Sequence, residues 1–433
     1  LDPNLATAHL DRGVIWHNQG DYQRAIADYS EAIRLEPSYA IAYYNRGYSC
    51  QELGEYDKAI EDYNKAIELN PADAWAFNNR GQVYHEMGNH EQAIEDLNES
   101  IRLDNTDDNA FQNRGDAWYA LGEYDKAIAD FTESLRLDPD DGVVHNNRGL
   151  AYNDKGEPDK AIVEYDASLR LAPDDPVTLR NRAMAKNQLG QFESAIEDLT
   201  AAVTVDPDFA VAYHTRGVTW DELGEFENAI ADYDRAIALD PTAVSYSNRG
   251  VSKSNLGRDQ EAIADFDEAL KLDPQMANAY HNRAYSWDEL GEYDKAIADY
   301  AKAIELNGAD PMCFHNRGYT YNNQGQWRKA IEDFNICLRL DPEYATAYNN
   351  RGHAWQALGD YDKAIADFTT AIRLDDQDSE SYSSRGALYY ELSDLDKAIA
   401  DLNKAVEIAP EDPIARPYRA MSWHLAGDQH KAL

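Results

Sequence analysis

Apolar and polar positions alternate along the chain with helical spacing. Within residues 56–69, apolar side chains stand three or four positions apart on one helical face, at Ala59, Ile60, Tyr63, Ala66 and Ile67. Gly54 precedes this stretch and Pro71 follows it, and both residue types are typical of turns at helix ends. The pattern predicts two short helices, named helix A and helix B here, with a tight turn between them.

The same pattern returns every 34 residues, marked by Arg-Gly pairs that begin at Arg12, Arg46 and Arg80. The period predicts one continuous array over 1–433, with one residue missing in the seventh repeat, and we number the positions of each repeat as columns 1 to 34. The repeats are 6–39, 40–73, 74–107, 108–141, 142–175, 176–209, 210–242, 243–276, 277–310, 311–344, 345–378, 379–412 and a partial 413–433.

Small residues occupy three columns of the repeat. Column 15 is Gly in 12 repeats, where a left-handed backbone would end helix A. Column 8 is Gly in 10 repeats in the middle of helix A, where Gly costs about 1 kcal/mol relative to Ala, so we expect close helix approach there. Column 20 is Ala from Ala25 to Ala432. One such hairpin cannot bury its apolar face alone, whereas stacked hairpins can.

This pattern resembles the tetratricopeptide repeat family. The matching residues in the second repeat are Tyr43, Gly47, Leu53, Gly54, Tyr56, Ala59, Tyr63, Ala66 and Pro71. The resemblance extends over essentially the whole chain. It implies an all-α fold, an α-solenoid of antiparallel helix pairs wound into a right-handed superhelix. It also implies that partners bind along a concave face lined mainly by A helices.

Two charged columns are unusually regular. Column 7, usually Leu in the family, is Arg in all thirteen repeats, and column 23 is acidic in all twelve repeats that reach it. Because a guanidinium forks onto a carboxylate, we expect each Arg to pair with a column-23 acid of its own hairpin or of the neighbouring repeat. The alternative is that both columns face solvent.

The chain is strongly acidic, with 80 Asp and Glu against 40 Lys and Arg and a formal net charge of −40. This balance argues against nucleic acid and anionic lipid as partners. About half of the acidic residues fall in columns 16, 18, 23 and 31, which are helix starts, turns and the paired column. No apolar run approaches the roughly 20 residues of a membrane span. Three cysteines cannot form a disulfide framework.

One stripe of helix A, formed by columns 2, 5, 6, 9, 12 and 13, is the candidate binding surface, termed the A-helix face. Column 6 is Asn in nine repeats: Asn45, Asn79, Asn113, Asn147, Asn181, Asn248, Asn282, Asn316 and Asn350. Because a primary amide offers both donors and an acceptor, such a row can hold an extended peptide by its backbone. It is similar to the asparagine ladder in the superhelix of the O-linked GlcNAc transferase. The alternative is that these amides bond only within the array.

Two aromatic clusters on this face are candidates for local specificity. The first contains Tyr44, Tyr48 and Trp75, and the second contains His281, Tyr285, His315 and Tyr319. Aromatic side chains often anchor partners in grooves, although exposed tyrosines are also common without a function.

The residues of this face disfavour acidic partners. Family members that grip acidic chaperone C-termini need lysines in columns 2 and 5 and an arginine in column 6, and this chain has none of them there. Asp116 and Asp288 lie on the face instead, with Arg180 as its one Lys or Arg in columns 2, 5, 6 and 9. We therefore expect neutral or basic extended segments as ligands.

The sequence favours a non-catalytic protein-interaction scaffold. It contains no HExxH, GxSxG, P-loop or CxxC motif, so no enzymatic activity, cofactor or metal site is predicted. His281, His315 and His353 in adjacent repeats are a weak metal pattern, and the cysteines fall in packing columns.

Two alternatives remain open. One is a regulatory or substrate-recruiting array of a larger enzyme or signalling protein, of which this chain is a fragment. The other is self-assembly through end repeats that lack polar caps. Partner and pathway do not follow from the residues, nor does the compartment, for which the cytoplasm is slightly favoured.

Overall fold

The computed structural model describes residues 5–427, and every regular element in that range is an α-helix. Each full repeat contributes a 13-residue helix A and a 14-residue helix B, as the spacing predicted. The helices are α1 (Ala6–Asn18), α2 (Tyr22–Leu35), α3 (Ala40–Glu52), α4 (Tyr56–Leu69), α5 (Ala74–Glu86), α6 (His90–Leu103), α7 (Asp108–Ala120), α8 (Tyr124–Leu137), α9 (Gly142–Asp154), α10 (Pro158–Leu171), α11 (Pro176–Gln188), α12 (Phe192–Val205), α13 (Ala210–Glu222), α14 (Phe226–Leu239), α15 (Ala243–Asn255), α16 (Asp259–Leu272), α17 (Ala277–Glu289), α18 (Tyr293–Leu306), α19 (Pro311–Asn323), α20 (Trp327–Leu340), α21 (Ala345–Ala357), α22 (Tyr361–Leu374), α23 (Ser379–Glu391), α24 (Leu395–Ile408) and α25 (Ala415–Leu425).

The chain divides into two compact units, Leu1–Leu223 and Gly224–Leu433. Within each unit, every helix packs against the next one in sequence, which is the all-α solenoid of helix pairs expected from the repeat. Among the described residues, none of the helices has the length and apolar character that crossing a bilayer requires.

Helix ends follow the repeat columns. Gly122 follows the C-cap residue of helix α7 and has φ of 75°, and its counterparts in column 15 have the same left-handed backbone. Ser393 takes this position in the twelfth repeat with φ of 63°. At helix starts, Asp141 Oδ1 accepts from the backbone N–H groups of Val143 and Val144 at 2.8 and 3.0 Å, which satisfies donors that the helix itself leaves unpaired.

The core depends on close approach of helices A and B at column 8. A Cβ atom built on Gly115 would lie 2.6 Å from Phe131 Cε1, and one on Gly149 would lie 2.6 Å from Tyr165 Cε1. The expected reason for glycine in this column is therefore confirmed. The column-20 alanines from Ala25 to Ala398 are fully buried, and Ala432 lies outside the described residues.

The column-7 arginines pair with column-23 acids of their own hairpin, which confirms the paired interpretation. Arg46 Nε and Nη2 donate to the two carboxylate oxygens of Asp62 at 2.8 and 2.7 Å, and Arg46 Nη1 donates to Ser30 Oγ of the preceding repeat at 3.0 Å. A guanidinium with both contacts joins two repeats, as it also does at Arg80, Arg182 and Arg351. The arginines with a pair of this kind are Arg12, Arg46, Arg80, Arg114, Arg148, Arg182, Arg249, Arg283, Arg317, Arg351 and Arg385.

Candidate peptide-binding face

A helices of consecutive repeats contact one another, as α5 does α7 in the first unit and α19 does α21 in the second. Side chains of one column therefore follow each other along the A-helix face. Column 2 carries apolar side chains that are 41–60% exposed, a row that the sequence analysis did not single out although apolar residues recur in that column. Its exposed members are Ile41, Trp75, Val143, Val177 and Val211 in the first unit and Val244, Met312 and Ile414 in the second.

Column-6 amides of the first unit form hydrogen bonds to side chains in column 5. Asn113 Nδ2 donates to Asn78 Oδ1 at 3.0 Å, Asn78 Nδ2 donates to Asn79 Oδ1 at 3.2 Å, and Asn79 Nδ2 donates to the Tyr44 hydroxyl at 3.1 Å. The four side chains make one directed hydrogen-bond chain across three repeats. Asn45, in the repeat before Asn79, is half-buried.

Further along the same unit, the amides reach an acidic group. Asn147 Nδ2 donates to Asp116 Oδ1 at 3.0 Å, and Asn181 Nδ2 donates to Asn146 Oδ1 at 3.0 Å. Burial raises the pKa of Asp116 to about 7, the bond from Asn147 lowers it, and the nearby charge of Asp141 raises it. Burial therefore makes the carboxylate form of Asp116 less favourable than it is for an exposed aspartate.

A second hydrogen-bond chain runs through repeats 9 to 11, in the second unit. Asn350 Nδ2 donates to His315 Nε2 at 3.0 Å, and His315 Nδ1 lies 2.9 Å from Asn316 Oδ1. Asn316 Nδ2 in turn lies 3.3 Å from His281 Nε2. Burial lowers the pKa of both histidines, which favours the neutral imidazoles that this arrangement requires.

With the Asn350 and Asn316 amides in this orientation, Nδ2 is the donor in both bonds. His315 and His281 then accept at Nε2 and carry their protons on Nδ1. His281 Nδ1 lies 3.1 Å from Cys313 Sγ, and the Cys313 thiol donates to Asp310 Oδ2 at 3.3 Å. Burial, followed by the bond to Asp310, raises the pKa of the Cys313 thiol to about 12.

The remaining column-6 amides, Asn248 and Asn282, are half-buried on the second unit's A helices. Asn282 lines a small cavity of about 120 Å³ together with Tyr285 and Ser254. His353, the third histidine of the weak metal pattern, lies 3.2 Å from Ser384 Oγ.

The aromatic candidates divide into exposed and engaged side chains. Trp75, Tyr285 and Tyr319 are about half exposed, at 53, 48 and 45%. Tyr48 packs its ring 4.8 Å from that of His17, and Tyr44 accepts the bond from Asn79 described above. The exposed three are therefore the ones available to a partner without rearrangement.

Tetratricopeptide repeat models match most of the chain. One model, described as "TPR repeat", matches residues 17–54, 47–88, 81–122, 115–156 and 318–359. Three models are described as "Tetratricopeptide repeat". The first of them matches 210–242, 243–276, 277–310, 345–378 and 379–412, the second matches 150–214 and the third matches 300–332.

Solved structures of similar chains include a tetratricopeptide repeat protein from Parabacteroides merdae ATCC 43184, with 19% identity, TM-score 0.47 and coverage of 57% of this chain and 98% of its own. They also include yeast Tom70, with 17% identity, TM-score 0.41 and coverage of 98% of this chain and 95% of its own. A third is the APC/C hetero-tetramer Cut9-Hcn1, with 17% identity, TM-score 0.43 and coverage of 95% of this chain and 95% of the matched chain. No curated protein matches the sequence.

Proposed function

The chain belongs to the tetratricopeptide repeat family, whose architecture is that of a protein-interaction scaffold, and from this premise we propose that it binds extended, neutral or basic peptide segments along its A-helix face. One observation carries the proposal. In repeats 2, 3, 5, 6, 8 and 10, an exposed apolar side chain in column 2 stands four residues before the Asn of column 6, so both lie on the same face of the A helix.

The amides keep capacity for a ligand. An Asn side chain has two N–H donors and two acceptor lone pairs, and the bond from Asn113 to Asn78 uses one donor of the first. Bonds within the array hold the amide planes in place, which lowers the entropy lost when a peptide backbone binds. The column-2 side chains would contact apolar side chains of an extended segment.

The charge of the face supports the choice of ligand. Asp116 is raised in pKa by burial, and a Lys or Arg side chain of a bound segment would stabilise its carboxylate form. An acidic segment would add like charge to a molecule that already carries −40.

The test uses fluorescence anisotropy with extended synthetic peptides that alternate apolar residues with Lys, compared with the same peptides carrying Glu in place of Lys. Wild-type protein is expected to bind the basic series more tightly. The variant Asn79→Ala/Asn113→Ala/Asn147→Ala is expected to lose about 3 kcal/mol of binding free energy, roughly 100-fold in Kd, because each amide contributes about 1 kcal/mol.

The matched control replaces three exposed asparagines outside the A-helix face, in the variant Asn105→Ala/Asn307→Ala/Asn403→Ala, and should bind like wild type. Equal affinity for basic and acidic peptides contradicts the proposed ligand class. Undiminished binding by the face variant contradicts the role of the amides. Circular dichroism melts of all three proteins separate loss of binding from loss of folding.

A further inference from the structure

Three side chains with metal-binding atoms converge at the start of α19. His281 Nδ1 lies 3.1 Å from Cys313 Sγ, which lies 3.3 Å from Asp310 Oδ2, and the three ligand atoms all lie within 4.8 Å of one another. Within residues 5–427, no other group of three such side chains comes together this closely. Cys313 is buried, whereas His281 and Asp310 are half-buried, so the group is reached from the surface through these two.

His281, Asp310 and Cys313 stand in columns 5, 34 and 3 of their repeats, and the same columns elsewhere in the array can hold residues that are not typical zinc ligands. Two repeats later, Asn349 Nδ2 donates to Ser381 Oγ at 2.7 Å, and the Ser381 hydroxyl donates to Asp378. Asn and Ser there take the places of His281 and Cys313. An ordinary polar triad therefore satisfies the fold at these positions, and imidazole and thiol are not needed for packing.

We propose that His281 Nδ1, Cys313 Sγ and a carboxylate oxygen of Asp310 bind one divalent cation of the zinc class. Nitrogen, sulfur and oxygen ligands of these types suit Zn²⁺, and its bond lengths place neighbouring N and S ligands of a tetrahedral site about 3.5 Å apart. The N–S and S–O distances of 3.1 and 3.3 Å are close to this separation, and the His281 and Asp310 ligand atoms lie within 4.8 Å of each other. On binding, the thiol proton passes to solvent and sulfur coordinates as the thiolate. The fourth position remains open to water or to a partner's side chain.

The cation would also reverse the hydrogen-bond chain that leads away from it. A metal on His281 Nδ1 moves the ring proton to Nε2, which then donates, so Asn316 must turn its amide to accept. The turned amide presents Nδ2 to His315 Nδ1, whose proton moves to Nε2 and donates to a turned Asn350. The metal site is thereby linked to the amides of the A-helix face in repeats 10 and 11.

The test titrates the full chain with Co²⁺ as a spectroscopic probe and Zn²⁺ as competitor. Wild type is expected to bind one Co²⁺ with a thiolate-to-cobalt charge-transfer band and tetrahedral visible absorption, both removed by one equivalent of Zn²⁺. The variant His281→Asn/Cys313→Ser copies the Asn349 and Ser381 triad, so it should fold like wild type and lose the band. Its Zn²⁺ affinity should fall by more than the roughly 10–100-fold that loss of a supporting partner costs.

A control variant, Cys50→Ala/His85→Asn, removes a cysteine and a histidine elsewhere and should retain the band. Absence of the band in wild type, or its persistence in His281→Asn/Cys313→Ser, overturns the site. 15N NMR of the histidine rings tests the link between the metal site and the amides of the A-helix face. The ring proton of His315 is expected to move from Nδ1 to Nε2 when Zn²⁺ is added. An unchanged His315 tautomer in the zinc-bound protein overturns that link.

Discussion

The column-7 arginine pairs with the column-23 acid of its own hairpin, and in several repeats it also contacts the preceding repeat. Its pairing with column 23 could be predicted, because two strictly periodic columns of opposite charge stand on helices A and B of the same hairpin. The contact of its Nη1 with column 25 of the preceding repeat could not be predicted. Arg46 Nη1 binds Ser30, whereas Arg80 Nη1 binds Asn64 and Arg182 Nη1 binds Asp166, so column 25 varies in residue type and gave no signal.

Arg317→Leu tests the energetic weight of one pair. Asp333 is 6% exposed, and the Arg317 guanidinium lies 2.7 Å from its carboxylate. Removing the arginine leaves that carboxylate buried without its cation, so we expect a loss of about 3–5 kcal/mol in the free energy of unfolding, measured by urea denaturation.

Arg249→Leu provides the graded comparison. Asp265 keeps a second cation in that variant, because Lys253 Nζ lies 2.7 Å from Asp265 Oδ2. The expected loss is therefore smaller than for Arg317→Leu. Equal losses in the two variants would show that packing of the arginine stem, and not the stranded charge, determines the effect.

At the scale of elements, helix starts, stops and pairing followed from local residues, and so did the candidate A-helix face. The contacts among the side chains of that face did not. The bonds from Asn113 to Asn78 and from Asn181 to Asn146 span 35 residues, so they depend on how one A helix sits against the next. A helical wheel of a single helix places columns 5 and 6 side by side but does not show which side chain of the neighbouring helix they meet. The group around Cys313 went unnoticed for the same reason.

Ser393→Gly tests the turn between the helices of a repeat. Ser393 adopts φ of 63° and is exposed, so a glycine there removes the steric cost of the left-handed backbone without losing buried contacts. We expect the free energy of unfolding to rise by about 1 kcal/mol. Gly359→Ser, at φ of 79°, is the reverse substitution and should lower it. A lower stability of Ser393→Gly contradicts this explanation.

For the whole molecule, the net charge of −40 and the ion-pair columns have opposite effects on the stability of the folded state, because the first destabilises it and the second stabilise it. Repulsion among exposed carboxylates acts through solvent and is screened by salt, whereas the column-23 acids are largely buried beside their arginines and are screened much less.

We therefore expect the Tm to rise by a few degrees between 0.01 and 0.15 M salt, as the Debye length falls from about 30 to about 8 Å. Differential scanning calorimetry in NaCl and in KCl measures this and controls for specific ion binding. A Tm that falls with salt would mean that exposed ion pairs outweigh the repulsion.

The arginine pairs bear on how such a chain can change length during evolution. Most of the arginines reach 16 residues forward to an acid and several reach 16 residues back to a polar group, and both distances are shorter than one repeat. Recombination that duplicates or deletes a unit of 34 residues therefore restores the same two contacts at the new junction. The repeat that is one residue shorter keeps this contact as well, because Arg249 reaches back to Asp234 at a spacing of 15. The number of repeats can thus drift by whole units without a compensating mutation.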